Sequence, residues 1–318
     1  MIGHDEAWRA WRSAMNGARM HHGWLLAGRE GLGKASFARA AAAELVAEPG
    51  VPQPAVEAHP DILTLSPLPA NDDEAKKRDE GKPYLLKRSI SVDQVRALQR
   101  RLTTRPTLGA RRAVIIDSAD LLEKSAVNAL LKSLEEPPQG TFFLLVVHAL
   151  GRLLPTVRSR CLIVRFHPLT DAEVARALDE AAPELDAETR RAALAVSGGS
   201  PGAALAFAEQ DLGRAQAIFE KLIEFGDRDL SLRGALTGAI GARPDRERIG
   251  AAIEAARMTV VRALDRADDP ARLRLAETHA RLVKLAGEAP IYNFDPAMLM
   301  MEIGSLLASA APTREGAR

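Results

Sequence analysis

Residues 24–35 read Trp24-Leu25-Leu26-Ala27-Gly28-Arg29-Glu30-Gly31-Leu32-Gly33-Lys34-Ala35, and this stretch decides the fold. Four apolar residues run without alternation into a glycine-rich turn, the pattern of a strand buried on both faces. Gly28, Gly33 and Lys34 have the spacing of a Walker A loop. Glycine lets backbone N–H groups converge on phosphate oxygens, and the helix that follows presents its positive end. Lys34 adds a charge at the same place. Gly28, Gly31, Gly33 and Lys34 are therefore the candidate nucleotide-binding residues of a degenerate loop, and ATP with Mg²⁺ is the candidate ligand. The next residue is usually Ser or Thr, whose hydroxyl holds Mg²⁺; here it is Ala35. Ser36 comes one position late and is expected to point elsewhere on the helix. A tight turn kept without a nucleotide is the competing reading.

Working outward, the Ala-rich segment 35–47 is rich in helix formers and is ended by Pro49, Gly50, Pro52 and Pro54. Residues 62–65 predict a short strand. Residues 70–83 predict a mixed-charge surface loop. Ser91 and Gln94 have capping-box spacing, and Val92, Val95, Leu98 and Leu102 follow at helical intervals. Residues 113–116 form an apolar run closed by Asp117, as in an interior parallel strand. Asp117 stands where a Walker B aspartate would hold Mg²⁺, although an aspartate that merely caps a strand is the alternative. The following residue, often a glutamate that orients the attacking water, is Ser118, a poor base at neutral pH. Glu123, Glu135 and Glu136 are wrongly placed to replace it.

Val127, Leu130, Leu131 and Leu134 mark one face of a helix that Glu135-Glu136-Pro137-Pro138 stops. Residues 142–147 and 162–164 predict two further strands. Strands alternating with helices imply a parallel α/β sheet. The pattern changes after Pro168. Thr170 and Glu173 form another capping box, residues 197–202 interrupt a small helical unit, and a boundary falls near residue 210. Residues 213–310 read as helical, with breaks near Arg243-Pro244 and Glu288-Ala289-Pro290; a frayed tail is expected from Pro312.

Composition narrows the function classes. A chain of 318 residues suits two or three domains at about 150 residues each. A hydrophobic share of 47% supports real cores, and 4% aromatics means they are built of aliphatic side chains. The net charge of +1 argues against a globally basic nucleic-acid binder. A single cysteine, Cys161, allows neither a disulfide framework nor a cysteine-based zinc site within the chain. No signal-peptide layout and no apolar run of about 18 residues are present, so a cytoplasmic protein without a membrane span is expected. Lys87, Arg88, Arg96, Arg100, Arg101, Arg105, Arg111 and Arg112 crowd one stretch opposed only by Asp93. Arg100, Arg101 and Arg105 are the candidate DNA contacts, to phosphates only; a solvated helical face is the alternative.

Three further segments resemble one family. Asn128-Ala129-Leu130-Leu131-Lys132-Ser133-Leu134-Glu135-Glu136-Pro137-Pro138 resembles a signature of bacterial clamp-loader subunits, as does Leu153-Leu154-Pro155-Thr156-Val157-Arg158-Ser159-Arg160-Cys161. Gly199-Ser200-Pro201-Gly202-Ala203-Ala204 is similar to the lid segment of the delta-prime branch of that family. With the phosphate loop these cover residues 20–210 in the right order. Tyr292-Asn293-Phe294-Asp295-Pro296 is similar to a collar segment.

The resemblance implies an α/β AAA+ P-loop core over 1–167, a helical lid over 168–210 and an all-α oligomerisation collar over 211–318. It implies a hetero-oligomeric ring with motor and delta-like subunits, acting on a sliding clamp and primer–template DNA. It also implies that Arg160, flanked by Ser159 and Cys161, serves as an arginine finger in a neighbour's ATP site. A plain surface arginine is the alternative. Departures favour the delta-prime branch. Gly202 occupies the place of a nucleotide-sensing lid arginine. Val147-His148 occupies that of a polar sensor; His148 as a substitute sensor is one reading, and a satisfied strand-end histidine is the expected one. The four-cysteine zinc module of many relatives is lost or replaced by residues 49–83. A self-sufficient AAA+ motor ATPase and an unrelated P-loop kinase are the rival readings; Ala35, Ser118 and Gly202 argue against the first, and the 128–138 and 159–161 segments against the second.

Overall fold

The continuous apolar runs become the strands of one parallel sheet. The computed structural model describes residues 2–17, 19–289, 292 and 294–312. The strands are β1 (Gly23–Ala27), β2 (Ile62–Leu65), β3 (Arg112–Ile116), β4 (Thr141–Val147) and β5 (Leu162–Arg165), in the order β2-β3-β4-β1-β5. Every neighbouring pair is parallel. β1 and β3 are buried at every position, which is why their sequences do not alternate. β2 and β5 are the edges, and most of β5 is exposed.

Helices cover both faces. They are α1 (Asp5–Met15), α2 (Lys34–Val46), α3 (Asp72–Asp79), α4 (Val92–Leu102), α5 (Lys124–Glu135) and the single turn α6 (Pro155–Arg158). Trp24, Leu26, Ile115, Leu144 and Val146 pack with α1 and α2 on one face. Leu25, Val114, Ile116, Phe143 and Leu145 pack with α4 and α5 on the other. Helix α1 was not anticipated. It buries Trp11 against Trp24, with ring centroids 5.0 Å apart.

Residues 70–83 are not a loop throughout, because α3 forms inside them. The Asn71 side chain accepts a hydrogen bond from the Glu74 amide. Acids fill the first turn and bases the last, which suits the helix dipole. Glu74 then accepts from the Leu85 amide at 2.7 Å and pairs with Lys77 at 2.7 Å, closing the excursion on itself. Apolar periodicity could not reveal this helix, since its stability is polar. Between α2 and β2 the chain makes a short 3-10 turn over Val56–Ala58. His59 Nε2 donates there to Gln53 Oε1 at 2.8 Å while its Nδ1 accepts from the Asp61 amide.

The chain divides into two compact units, Met1–Pro168 and Leu169–Arg318. Among its described residues the second unit is all helical: α7 (Asp171–Ala181), α8 (Ala187–Val196), α9 (Pro201–Glu209), α10 (Gly213–Phe225), α11 (Ser231–Ile240), α12 (Arg246–Leu264), α13 (Asp269–Glu288) and α14 (Pro296–Ser309). The Ser91 and Thr170 capping boxes form as read. Residues 168–210 and 211–318 share one core, in which Val174, Leu178 and Phe207 belong to the same cluster as Phe219, Leu236 and Ile303. A boundary near 210 is a helix break within this unit. Two breaks were not foreseen, at 226–230 and 265–268. Pro290, Asn293 and the tail over 313–318 lie outside the described residues.

Candidate functional site

The phosphate loop leaves β1 at Gly28, whose amide donates to the Val147 carbonyl of β4 at 3.1 Å. A Cβ on Gly28 would stand 2.5 Å from the Phe166 carbonyl oxygen, so close packing demands this glycine. Gly31 and Gly33 have φ of 77° and 79°, the left-handed region that glycine enters freely. Helix α2 follows with no side chain capping its N-terminus. Its first amides are thus left to a ligand or solvent.

Lys34 is 2% exposed, and its Nζ donates to the carbonyl of Arg29 in its own loop at 2.5 Å. Burial pushes its pKa down to about 8, against the opposing pull of Glu30, Asp120 and Asp117. Asp120 was overlooked in the sequence, although it lies three residues beyond Asp117. Its carboxylate accepts from the backbone amides of His148, at 2.5 Å, and Ala149, at 3.0 Å. His148 is not the satisfied histidine that was expected: its buried Nδ1 has no hydrogen-bond partner. Burial and the Lys34 charge hold His148 below the usual histidine range.

These groups fit part of a nucleotide. The glycines and the free start of α2 suit phosphate oxygens. The Mg²⁺ side does not fit, because Ala35 offers a methyl group and Ser36 is exposed on the next position of the helix. Ser118 is buried. Among the described residues, no group of three or more His, Cys, Asp or Glu side chains is placed to hold a metal ion. Asp117 acts on Lys34 through space.

Arg160 lies at the opposite end of the sheet. It follows α6 and precedes β5, which runs parallel to β1 with Leu162 opposite Trp24. The Arg160 backbone meets Gly23, where β1 begins. The phosphate loop starts where β1 ends, about 16 Å away at a strand's rise per residue. Arg160 Nη2 pairs with Glu135 Oε1 at 2.6 Å. Its Nη1 donates to the Thr156 carbonyl at 2.8 Å and the Ser159 hydroxyl at 3.3 Å. Burial pushes the Cys161 thiol up to about 12, so it is an apolar anchor and not a nucleophile. A Cβ on Gly23 would lie 3.0 Å from both Cys161 Sγ and the Arg160 carbonyl. Sequence reasoning dismissed Glu135 as a misplaced acid and missed it as the partner of Arg160.

The basic stretch separates into two kinds of arginine. Arg100, Arg101 and Arg105 are exposed around the end of α4. Arg112, read with them as part of one basic crowd, is 4% exposed. Its guanidinium donates to the carbonyls of Arg101, Thr104 and Arg105 at 2.8–3.0 Å. A charge at the start of an interior strand can stay buried only by using such donors, and a count of basic residues does not reveal that.

A phosphate loop between β1 and α2, a parallel sheet with β1 between β4 and β5, and a following all-helical unit define an AAA+ chain. The crystal structure of a DNA polymerase III, gamma subunit-related protein from Thermotoga maritima shares this fold, with a TM-score of 0.52 at 15% identity over 95% of this chain and 98% of that one. The sequence model of the family described as DNA polymerase III, delta subunit, matches residues 3–170, more than half of the chain, and the chain belongs to that family. It is 37% identical over 202 residues to the DNA polymerase III subunit delta' of Pseudomonas aeruginosa, covering 59% of this chain and 56% of that protein. It is 38% identical over 155 residues to the same subunit of Escherichia coli K12, covering 48% and 41%. The chain thus spans about half the length of the curated relatives it matches. Among the described residues no helix is long and apolar enough to cross a membrane.

Proposed function

We propose that this chain is a delta-prime-like stator subunit of a bacterial DNA polymerase III clamp loader. It joins a cytoplasmic ring with motor and delta-like subunits through residues 211–318. It helps open a sliding clamp and place it on primer–template DNA, whose phosphates Arg100, Arg101 and Arg105 touch. Its own hydrolysis of ATP is negligible. Ala35 cannot hold Mg²⁺ and Ser118 cannot orient water, although Gly28, Gly31, Gly33 and Lys34 retain the outline of a nucleotide cradle and Asp117 that of its metal side. Arg160, between Ser159 and Cys161, serves the ATP site of a neighbouring motor subunit.

One observation carries this reading. Arg160 sits at the end of the sheet away from its own phosphate loop, so its guanidinium cannot act there. An arginine that stabilises charge on a transferred phosphoryl group must then do so in another chain.

The test is ATP turnover by a reconstituted ring in which only this chain is altered. Arg160→Ala should leave assembly intact and slow the neighbouring site by about 10³-fold or more, the value of an arginine finger. Arg160→Lys should fail too, since an ammonium lacks the planar fork. Unchanged turnover and clamp loading in an assembled ring would sink the reading. So would turnover by the isolated chain that Lys34→Ala abolishes.

A further inference from the structure

Arg160 and Glu135 are held together by the backbone around them. Glu135 is the last residue of α5. The preceding carbonyl, Leu134, accepts a hydrogen bond from His22 Nε2 at 2.8 Å, which fastens that helix end. The next residue, Gly23, lies against the Arg160 carbonyl and Cys161 Sγ, which fastens the turn carrying the arginine. Two consecutive residues thus set the position of both partners. The pair itself is open to solvent, with the arginine side chain 34% and the glutamate 49% exposed.

We propose that Glu135 is a parking carboxylate for Arg160. It holds the guanidinium on its own chain until the phosphates of a nucleotide in the neighbouring subunit draw it away. The inference rests on the reading of Arg160 as a residue acting in trans. A guanidinium paired at 2.6 Å with a carboxylate has its charge largely offset and cannot stabilise an anion elsewhere at full strength. An exposed pair holds weakly, so a polyphosphate can displace the carboxylate. The bonds to Thr156 and Ser159 come from Nη1 and keep the side chain extended along α6 while Nη2 changes partner. Glu135 is therefore a positioning residue: it sets how readily Arg160 is released and touches no substrate.

Glu135→Gln removes the charge and keeps the shape. In the reconstituted ring it should raise ATP turnover measured without clamp or DNA by about 2- to 5-fold, the range an exposed ion pair is worth. Turnover with clamp and DNA should change less, so the stimulation ratio should fall. Glu135→Asp, one methylene shorter, should give a smaller rise in the same direction and stands in if the Gln variant fails to fold. In an Arg160→Ala ring, Glu135→Gln should have no effect. If Arg160→Ala slows the ring but both Glu135 variants leave unstimulated turnover unchanged or lower it, the parking role is overturned and the finger stands. If Arg160→Ala is itself silent, both fall together.

Discussion

Asp61 and Arg112 stand 3.7 Å apart, both almost wholly buried, yet each makes its shorter bonds to backbone. The Asp61 carboxylate accepts from the amides of Thr107 and Leu108 at 2.7 and 2.8 Å. Arg112 donates to three carbonyls at the end of α4. The pair therefore organises residues 101–108, the turn that carries Arg101 and Arg105.

Breaking this pair from either side should be costly. Arg112→Met leaves Asp61 buried without a counter-charge and should destabilise the first unit by about 3–5 kcal/mol in urea unfolding. Arg112→Lys should recover only part of that, because one ammonium cannot span three carbonyls. A loss below about 1 kcal/mol, an ordinary surface value, would contradict the geometry.

Lys34 should make stability depend on alkaline pH. Its folded pKa of about 8 lies below the ordinary 10.5, so the unfolded chain binds more protons between those values. Stability then rises with pH across that window. Lys34→Met removes the penalty and should stabilise the protein below pH 8, by at most about 3 kcal/mol. The advantage should shrink to nothing as pH approaches 10.5. Thermal unfolding of both proteins from pH 7 to 10.5 measures it, and an advantage that grows with pH would refute it.

Gly28 should matter for packing as well as for any ligand. An added Cβ would meet the Phe166 carbonyl oxygen at 2.5 Å, and the Phe166 amide's bond to the Ala27 carbonyl at 2.8 Å holds that backbone against β1. Gly28→Ala should cost about 1–3 kcal/mol, as overpacking does. The cost should persist in a Lys34→Ala background. Gly33→Ala meets nothing within 4 Å and should cost only the left-handed strain, about 1–2 kcal/mol.

In the helical unit, Asp227 should confer acid sensitivity. Burial alone would raise its pKa, but Arg233 and the amides of Leu232 and Arg233 hold it below the ordinary 3.8. A depressed folded pKa gives stability that is present above the ordinary value and lost as pH falls through the folded one. Asp227→Asn should cost about 1.5–3 kcal/mol at pH 7, the value of hydrogen bonds to a charged group. The gap from the parent should close below pH 3.8. A gap that stays constant from pH 7 to 3 would show that folding does not shift the Asp227 pKa and would contradict the geometry.

How much was legible follows from how local each feature is. The strands were readable because interior parallel strands are apolar on both faces, and a short unbroken run such as residues 113–116 suits little else. The capping boxes at Ser91 and Thr170 were readable because both partners lie within one helical turn. Helix α3 escaped because its signal is charge order and a cap, with no apolar period. Helix α1 escaped because its burial depends on Trp24 and Phe37, which come later in the chain.

The sequence by itself determined the strand–loop–helix around Gly28 to Lys34, the missing hydroxyl at Ala35 and the five strands of the parallel sheet. All of these are set by side chains close in the chain. Only the tertiary structure decided that Arg112 is buried while Arg101 and Arg105 are exposed. It alone brought Glu135 to Arg160, Asp120 to the His148 amide and Gly23 to Cys161. The physical reason is that burial and ion pairing depend on groups far along the chain. The packing of the sheet against its helices selects those partners, and no local spacing records the choice.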